Sequence, residues 1–221
     1  MKTIYFFLLP LFFTCFSQGA EFRYQTAETS PMVKFKIPWT FGTHEGISRK
    51  LNGQVMLDES DKVLNALFEI PINSMTTGNS IRDCHMREAL GLNYDISTFP
   101  EEHVCNSKNQ IPESGNDSIQ YSVITAEFQN MTIPHDQYNL GIPMSTNVRV
   151  KINMHGVGKS TIVEKILITK TENGFNLVGS FILSLRDFLV QVKPVDLGIK
   201  KVGVEDIVKI QFSINLVKEK F

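Results

Sequence analysis

Apolar side chains return at every second position in three stretches of this chain. Phe35, Ile37, Trp39 and Phe41 alternate with Lys34, Lys36 and Thr40; Val148, Val150, Ile152 and Met154 alternate with Asn147, Arg149, Lys151, Asn153 and His155; Val208, Ile210, Phe212, Ile214 and Leu216 repeat the pattern near the C-terminus. A spacing of two puts such residues on one face of an extended strand, whereas a helical period of about 3.6 would scatter them around its axis. Less regular segments predict further strands over residues 51–58, 64–72, 102–107, 119–131, 161–170 and 175–185, with Phe68, Ile70, Phe128 and Phe181 among their inward candidates. Turn-forming runs separate most of them: Asp58-Glu59-Ser60-Asp61, residues 112–117, His155 to Gly158, and Glu172-Asn173-Gly174, whose Asn-Gly pair suits a tight hairpin. Strands joined by short turns make an all-β antiparallel barrel or sandwich, not alternating strand and helix units. Two stretches break the pattern. Ser80 to Leu92 lacks alternation and is predicted as a short helix or ordered loop, and residues 134–145, rich in Pro, Gly, Asn and Asp, as a longer loop.

The 22 Lys and Arg are balanced by 23 Asp and Glu, so nucleic-acid binding through bulk positive charge is excluded. With 42% hydrophobic residues and 16 Phe in 221 positions, the chain supports one sizeable core and is not disordered. The longest apolar run, Ile4 to Phe16, follows Lys2 and precedes Ser17-Gln18-Gly19-Ala20. It is shorter than the roughly 20 residues of a membrane span and has the layout of a secretory signal peptide cut after Gly19. Residues 1–19 are therefore expected to be removed, leaving 20–221 as a single periplasmic or secreted domain with no stable membrane insertion. A retained N-terminal anchor and a lipid-modified Cys15 are the rival readings. In the exported chain Cys84 and Cys105 are the remaining cysteines; outside the reducing cytosol they either form a disulfide or stay as two buried thiols.

Motifs for catalysis are weak. Gly158-Lys159-Ser160 ends like a phosphate-binding loop, but Asn153 stands where that loop needs glycine, and a strand pattern follows where it needs a helix. The histidines at 44, 85, 103, 135 and 155 lack zinc-site spacing, and no GxSxG elbow occurs. Neither a metal nor a cofactor is expected. The densest polar cluster runs from Thr76 to Met86, where Arg82, Asp83 and His85 could build a hydrogen-bonding site or tether a loop.

That cluster opens the stretch SMTTGNSIRDCHMREALGLNYDISTFPEEHVCNS, which resembles the signature of the YceI-like family of secreted lipid-binding proteins, with its RDxHL motif. PMVKFKI and HEGISRKLNGQV resemble that family's opening strands, INMHGVGKSTIV its central hairpin, and SLRDFLV its DFG-containing strand, so the likeness spans roughly residues 28–217. Thr29-Ser30 replaces the family's early His-Ser, Met86 its Leu, and Leu189 its Gly, while residues 134–145 have no counterpart. The resemblance implies a lipocalin-like barrel of about eight strands with one helical insertion, enclosing an apolar tunnel for an isoprenoid or fatty chain.

Period alone leaves open whether such a barrel is hollow or filled by its own side chains. The expected function is that of a binding protein, with an apolar tunnel lined by Phe35, Ile37, Trp39, Phe68, Ile70, Phe128, Val148, Val150, Ile152, Phe181, Ile210 and Phe212. Arg82, Asp83 and His85 are expected at the ligand's polar end or as structural tethers, with no catalytic residue. The alternatives are an enzyme using His85 and Asp83 as acid and base on an amphiphile, and an interaction module working through a sheet edge or the 134–145 loop.

Overall fold

In the computed structural model the alternating segments become a hydrogen-bonded ring. It describes residues 22–27, 32–48, 50–57, 63–97, 105, 115, 118–129, 131, 140–192, 195–196 and 201–219. The expected signal peptide, most of the strand expected at 102–107 and the first half of the 134–145 loop lie outside these residues. In chain order the strands are β1 (Phe22–Thr26), β2 (Met32–Trp39), β3 (Gly42–Ser48), β4 (Asn52–Leu57), β5 (Val63–Pro71), β6 (Met75–Thr76), β7 (Val123–Gln129), β8 (Pro143–Met154), β9 (Val157–Thr171), β10 (Gly174–Ser184), β11 (Val195–Asp196), β12 (Lys201–Val202) and β13 (Ile207–Lys218). Among the described residues, one helix, α1 (Ser80–Gly91), and 3-10 turns at Ile72–Ser74 and Leu185–Phe188 complete them.

The eight strands β1, β4, β5, β7, β8, β9, β10 and β13 follow one another around the sheet, all antiparallel, and β1 pairs with β13 to close the barrel. β2 continues along β13 where β1 leaves off, from Lys36 opposite Lys209 to Met32 opposite Ser213. It then turns back as β3, whose end pairs with β6. Closure removes the sheet edges that an open stack of strands would expose.

Local chemistry explains where the sequence reading holds and where it slips. The β8–β9 hairpin turns at His155 and Gly156, with φ of 52° and 75°, the pair of left-handed residues that a two-residue type I′ turn requires. His155 therefore leaves the outward parity expected of it, and its ring is buried. The β9–β10 turn falls on Glu172 and Asn173, one residue earlier than the Asn-Gly pair suggests, and Gly174 already belongs to β10. That position is glycine because a Cβ there would lie 1.9 Å from the Leu216 carbonyl oxygen across the sheet. β9 alternates poorly because the register shifts opposite Asn147, where Lys165 adopts φ of 55° and donates its N–H to Asn147 Oδ1 at 3.0 Å. The bulge lets Val163 and Ile166 both face inward. β8 starts at Pro143, so the last residues of the expected 134–145 loop are strand instead. Phe41 sits in the β2–β3 turn and is 63% exposed, away from the face it was expected to share with Phe35.

Candidate functional site: the apolar lumen and its mouth

The inward faces divide the barrel into two halves. Phe128 on β7 and Phe212 on β13 come from strands four places apart in the ring of eight, which are opposite walls, yet their ring centroids are 6.4 Å apart. Phe68 packs on Phe128 at 5.1 Å and Phe181 on Phe212 at 6.5 Å, so four aromatic rings cross the lumen. On the side away from α1, inward residues such as Leu57, Val163, Ile166, Ile168, Leu177 and Ile214 are sealed, none more than 3% exposed. This half is a packed core. On the α1 side the same parity gives a set of half-buried side chains, Ile37, Phe181, Leu183 and Ile210 on the β2–β13–β10 wall and Ile70, Ile124 and Ala126 facing them on β5 and β7, while Val208, Ile152 and Met154 are sealed. The half-buried set keeps partial exposure although it lies on the inward parity.

Glycines keep the rings against the wall. Phe35 lies directly opposite Gly46, Phe68 opposite Gly53 and Phe212 opposite Gly179. A Cβ on those glycines would come within 2.0, 2.2 and 2.5 Å of the partner ring. Each ring thus occupies the space a neighbouring side chain would take, a cross-strand pairing known to shield glycine in sheets.

Of the residues expected to line a tunnel, Ile37, Ile70 and Ile210 sit in the accessible half, and Phe68, Phe128, Phe212 and the half-buried Phe181 form its aromatic floor. Phe35 covers Gly46, while Val148, Val150 and Ile152 are sealed on β8. Trp39 stands at the rim, stacked on His44 at 4.7 Å and bridged to Val204. Ile124, Ala126 and Leu183 went unrecognised because their strands alternate imperfectly. The inward glycines were a readable signal, since glycine inside a strand marks close approach of a neighbouring group.

α1 lies over the accessible end. Asn79 caps it, its side chain accepting from the Arg82 N–H at 3.0 Å. Asp83, 7% exposed, accepts from Thr76 Oγ1 (2.7 Å), Thr77 N–H (2.7 Å) and Thr77 Oγ1 (2.6 Å), which fastens the helix to β6. Burial alone would raise this carboxyl, but the Thr76 and Thr77 hydrogen bonds, helped by Arg87, hold it below its ordinary value. His85 points outward, its Nδ1 3.1 Å from the Oε2 of buried Glu88. Arg82 acts elsewhere again, joining burial in holding the His44 imidazole below its ordinary value. The three residues expected as one polar cluster therefore serve three separate surroundings. Cys84 and Cys105 are joined in a disulfide with Cα atoms 5.8 Å apart. Their sulfurs and the Glu88 carboxylate are close enough to group as metal donors, but the sulfurs are bonded to each other.

Buried His155 ties the mouth together: its Nε2 is 2.7 Å from the Leu92 carbonyl oxygen after α1 and its Nδ1 3.2 Å from that of Phe188. Tyr94 and Tyr121 flank the ring at 4.9 and 4.7 Å. A cleft of about 640 Å³ opens beside it, lined in part by Tyr94, Tyr121, Arg186, Leu189 and Val190.

The Asp83 network gives a direct expectation. At neutral pH Asp83→Asn should cost about 2 kcal/mol, because a charged acceptor of several donors becomes a neutral one with a single oxygen. The folded carboxyl titrates below the usual 3.8 of the unfolded chain. Its contribution is therefore complete above that value and is lost as pH falls through the lower folded value. Urea midpoints of the parent and Asp83→Asn should converge in acid; a gap that stays constant with pH would contradict this account.

A closed antiparallel barrel with one packed half, one accessible apolar half and a helix across its mouth is of the lipocalin-like class. The YceI-like domain model matches residues 24–216, and the chain belongs to that family. Its fold is similar to that of a polyisoprenoid binding domain from Saccharophagus degradans, with 15% identity, 89% of this chain and 98% of that chain covered, and a TM-score of 0.61. It is also similar to BcnA of Burkholderia cenocepacia, with 16% identity, coverage of 86% and 98%, and a TM-score of 0.53. No curated protein matches the chain.

Proposed function

We propose that this protein is a binding protein that takes the apolar chain of an isoprenoid or fatty amphiphile into the α1-side half of its barrel, for transport, storage or sequestration. The observation that carries the reading is the pair of facing walls whose inward Ile, Leu, Phe and Ala side chains stay half-buried although the barrel is closed around them. Filling that space with a hydrocarbon removes apolar area from water at about 25 cal/mol per Å². The similarity in fold to a polyisoprenoid binding domain supports the same reading. Arg82, Asp83 and His85 serve as tethers and rim groups rather than as one head-group site, and the reading assigns them no chemistry: Asp83 is engaged by two threonines, and His85 faces outward beside Glu88.

The mature domain is read as exported, starting near Ala20. Native mass spectrometry of protein purified from the periplasm or medium tests both parts. The expected result is an N-terminus near Ala20 and an excess mass that leaves on denaturation and extracts as lipid. Retention of residues 1–16 in that fraction would overturn the export reading. An apo mass, together with failure of the delipidated protein to bind farnesol or dodecanol, would overturn the binding reading.

A further inference from the structure

We infer that the four-ring floor sets a chain-length limit: this barrel selects short apolar chains, taking up about eight to ten main-chain carbons, and does not thread a long polyprenyl chain from end to end. The inference rests on the binding reading above and specifies the ligand of that same site. Phe128 and Phe212 meet across the full width of the ring, and every inward residue of β13 beyond them, Ile214 and Leu216, is 3% exposed. A chain entering past Ile210 therefore meets rings, and behind them a packed core.

The depth follows from the strand. From Phe212 to Val208, itself 3% exposed at the near end of the wall, the four-residue rise is roughly 13 Å, or about 10 Å along the axis of a barrel whose strands tilt by about 40°. With C–C bonds of about 1.5 Å, a zigzag chain advances about 1.25 Å per bond, so this depth holds about eight to ten carbons. Further carbons stay at the mouth, among Trp39, Val190 and the cleft beside His155.

The test uses delipidated full-length domain and the straight-chain alcohols from hexanol to octadecanol, read by displacement of anilinonaphthalene sulfonate. Affinity should climb by up to about fourfold per methylene while the lumen is filling, then level off near octanol to decanol. Phe212→Ala removes a ring from the floor and should move the plateau to longer alcohols. Gly179→Ala places a methyl 2.5 Å from Phe212 Cζ, drives the ring into the lumen, and should move the plateau to shorter ones. The two shifts in opposite directions keep the inference testable even where one variant folds poorly, and Phe128→Leu serves as a milder third. An affinity that climbs unabated to octadecanol in the parent, or a plateau that stays put in the folded variants, overturns the floor while leaving the binding reading intact. Binding of no alcohol at any length overturns the binding reading itself, and the floor with it.

Discussion

Ile152→Asp is expected to abolish folding, whereas Lys151→Ala on the next residue leaves stability within about 0.5 kcal/mol. Ile152 is 4% exposed on the inward face of β8, opposite Ala126, and the bulge-adjusted β9 packs beside it. An aspartate there must either hold an unpaired charge in an apolar interior or take up a proton, and it also loses the contacts of a buried isoleucine. Together these cost about 5 kcal/mol or more, comparable with the whole stability of a domain. Lys151 lies on the outer face opposite Glu127 and is only partly buried, so truncating it leaves no buried group unpaired. Urea denaturation followed by circular dichroism separates the two. Similar midpoints for both variants would show that the inward and outward faces of β8 have been exchanged.

Loss of the Cys84–Cys105 bridge is the second large expected effect. The bond closes a separation of 21 residues, and a loop of that length stabilises by about 3 kcal/mol through restriction of the unfolded chain. For a domain of this size that is a fall in Tm of roughly 6–12 °C. Cys84 lies on the buried face of α1, so the bridge ties that face of the helix to Cys105. The double variant Cys84→Ser, Cys105→Ser should match the parent treated with a thiol reductant, and both should melt earlier than the oxidised parent. Equal melting of oxidised and reduced parent would mean that hydrogen bonds such as those of Asp83 hold α1 without the bridge.

The reach of the sequence is clearest on β8 and β13. Alternation at Val148, Val150, Ile152 and Met154, and from Val208 to Leu216, is a local property of consecutive residues, and each of these strands presents that parity to the interior. The hairpin turn expected between His155 and Gly158 was legible for the same reason, since turn chemistry acts within a few residues; lack of alternation alone left Ser80 to Leu92 open between a short helix and an ordered loop, and it forms α1. The RDxHL-like stretch carried the family, and Leu189, at the position where the resemblance leads to an expectation of glycine, takes φ of 58°, a left-handed conformation that glycine adopts freely and leucine at a cost.

What a residue meets across the barrel was not legible. Asp83 and His85 sit two apart in sequence, which on a helix turns them to different sides, and only the placement of β6 beneath α1 commits Asp83 to Thr76 and Thr77. His155 reads as a surface turn until α1 and the Leu185–Phe188 turn deliver carbonyl oxygens to both ring nitrogens.

By itself the sequence determined an all-β antiparallel chain, the face each regular strand turns to the core, and its family, because period and short motifs are properties of neighbouring residues. Tertiary structure decided that β1 closes on β13, that a bulge at Lys165 realigns β9, and that Phe128 and Phe212 meet from opposite walls to divide a packed half from an accessible one. Those outcomes depend on strand order and stagger around the ring, which bring together residues 84 positions apart and leave no trace in a pattern that repeats every two.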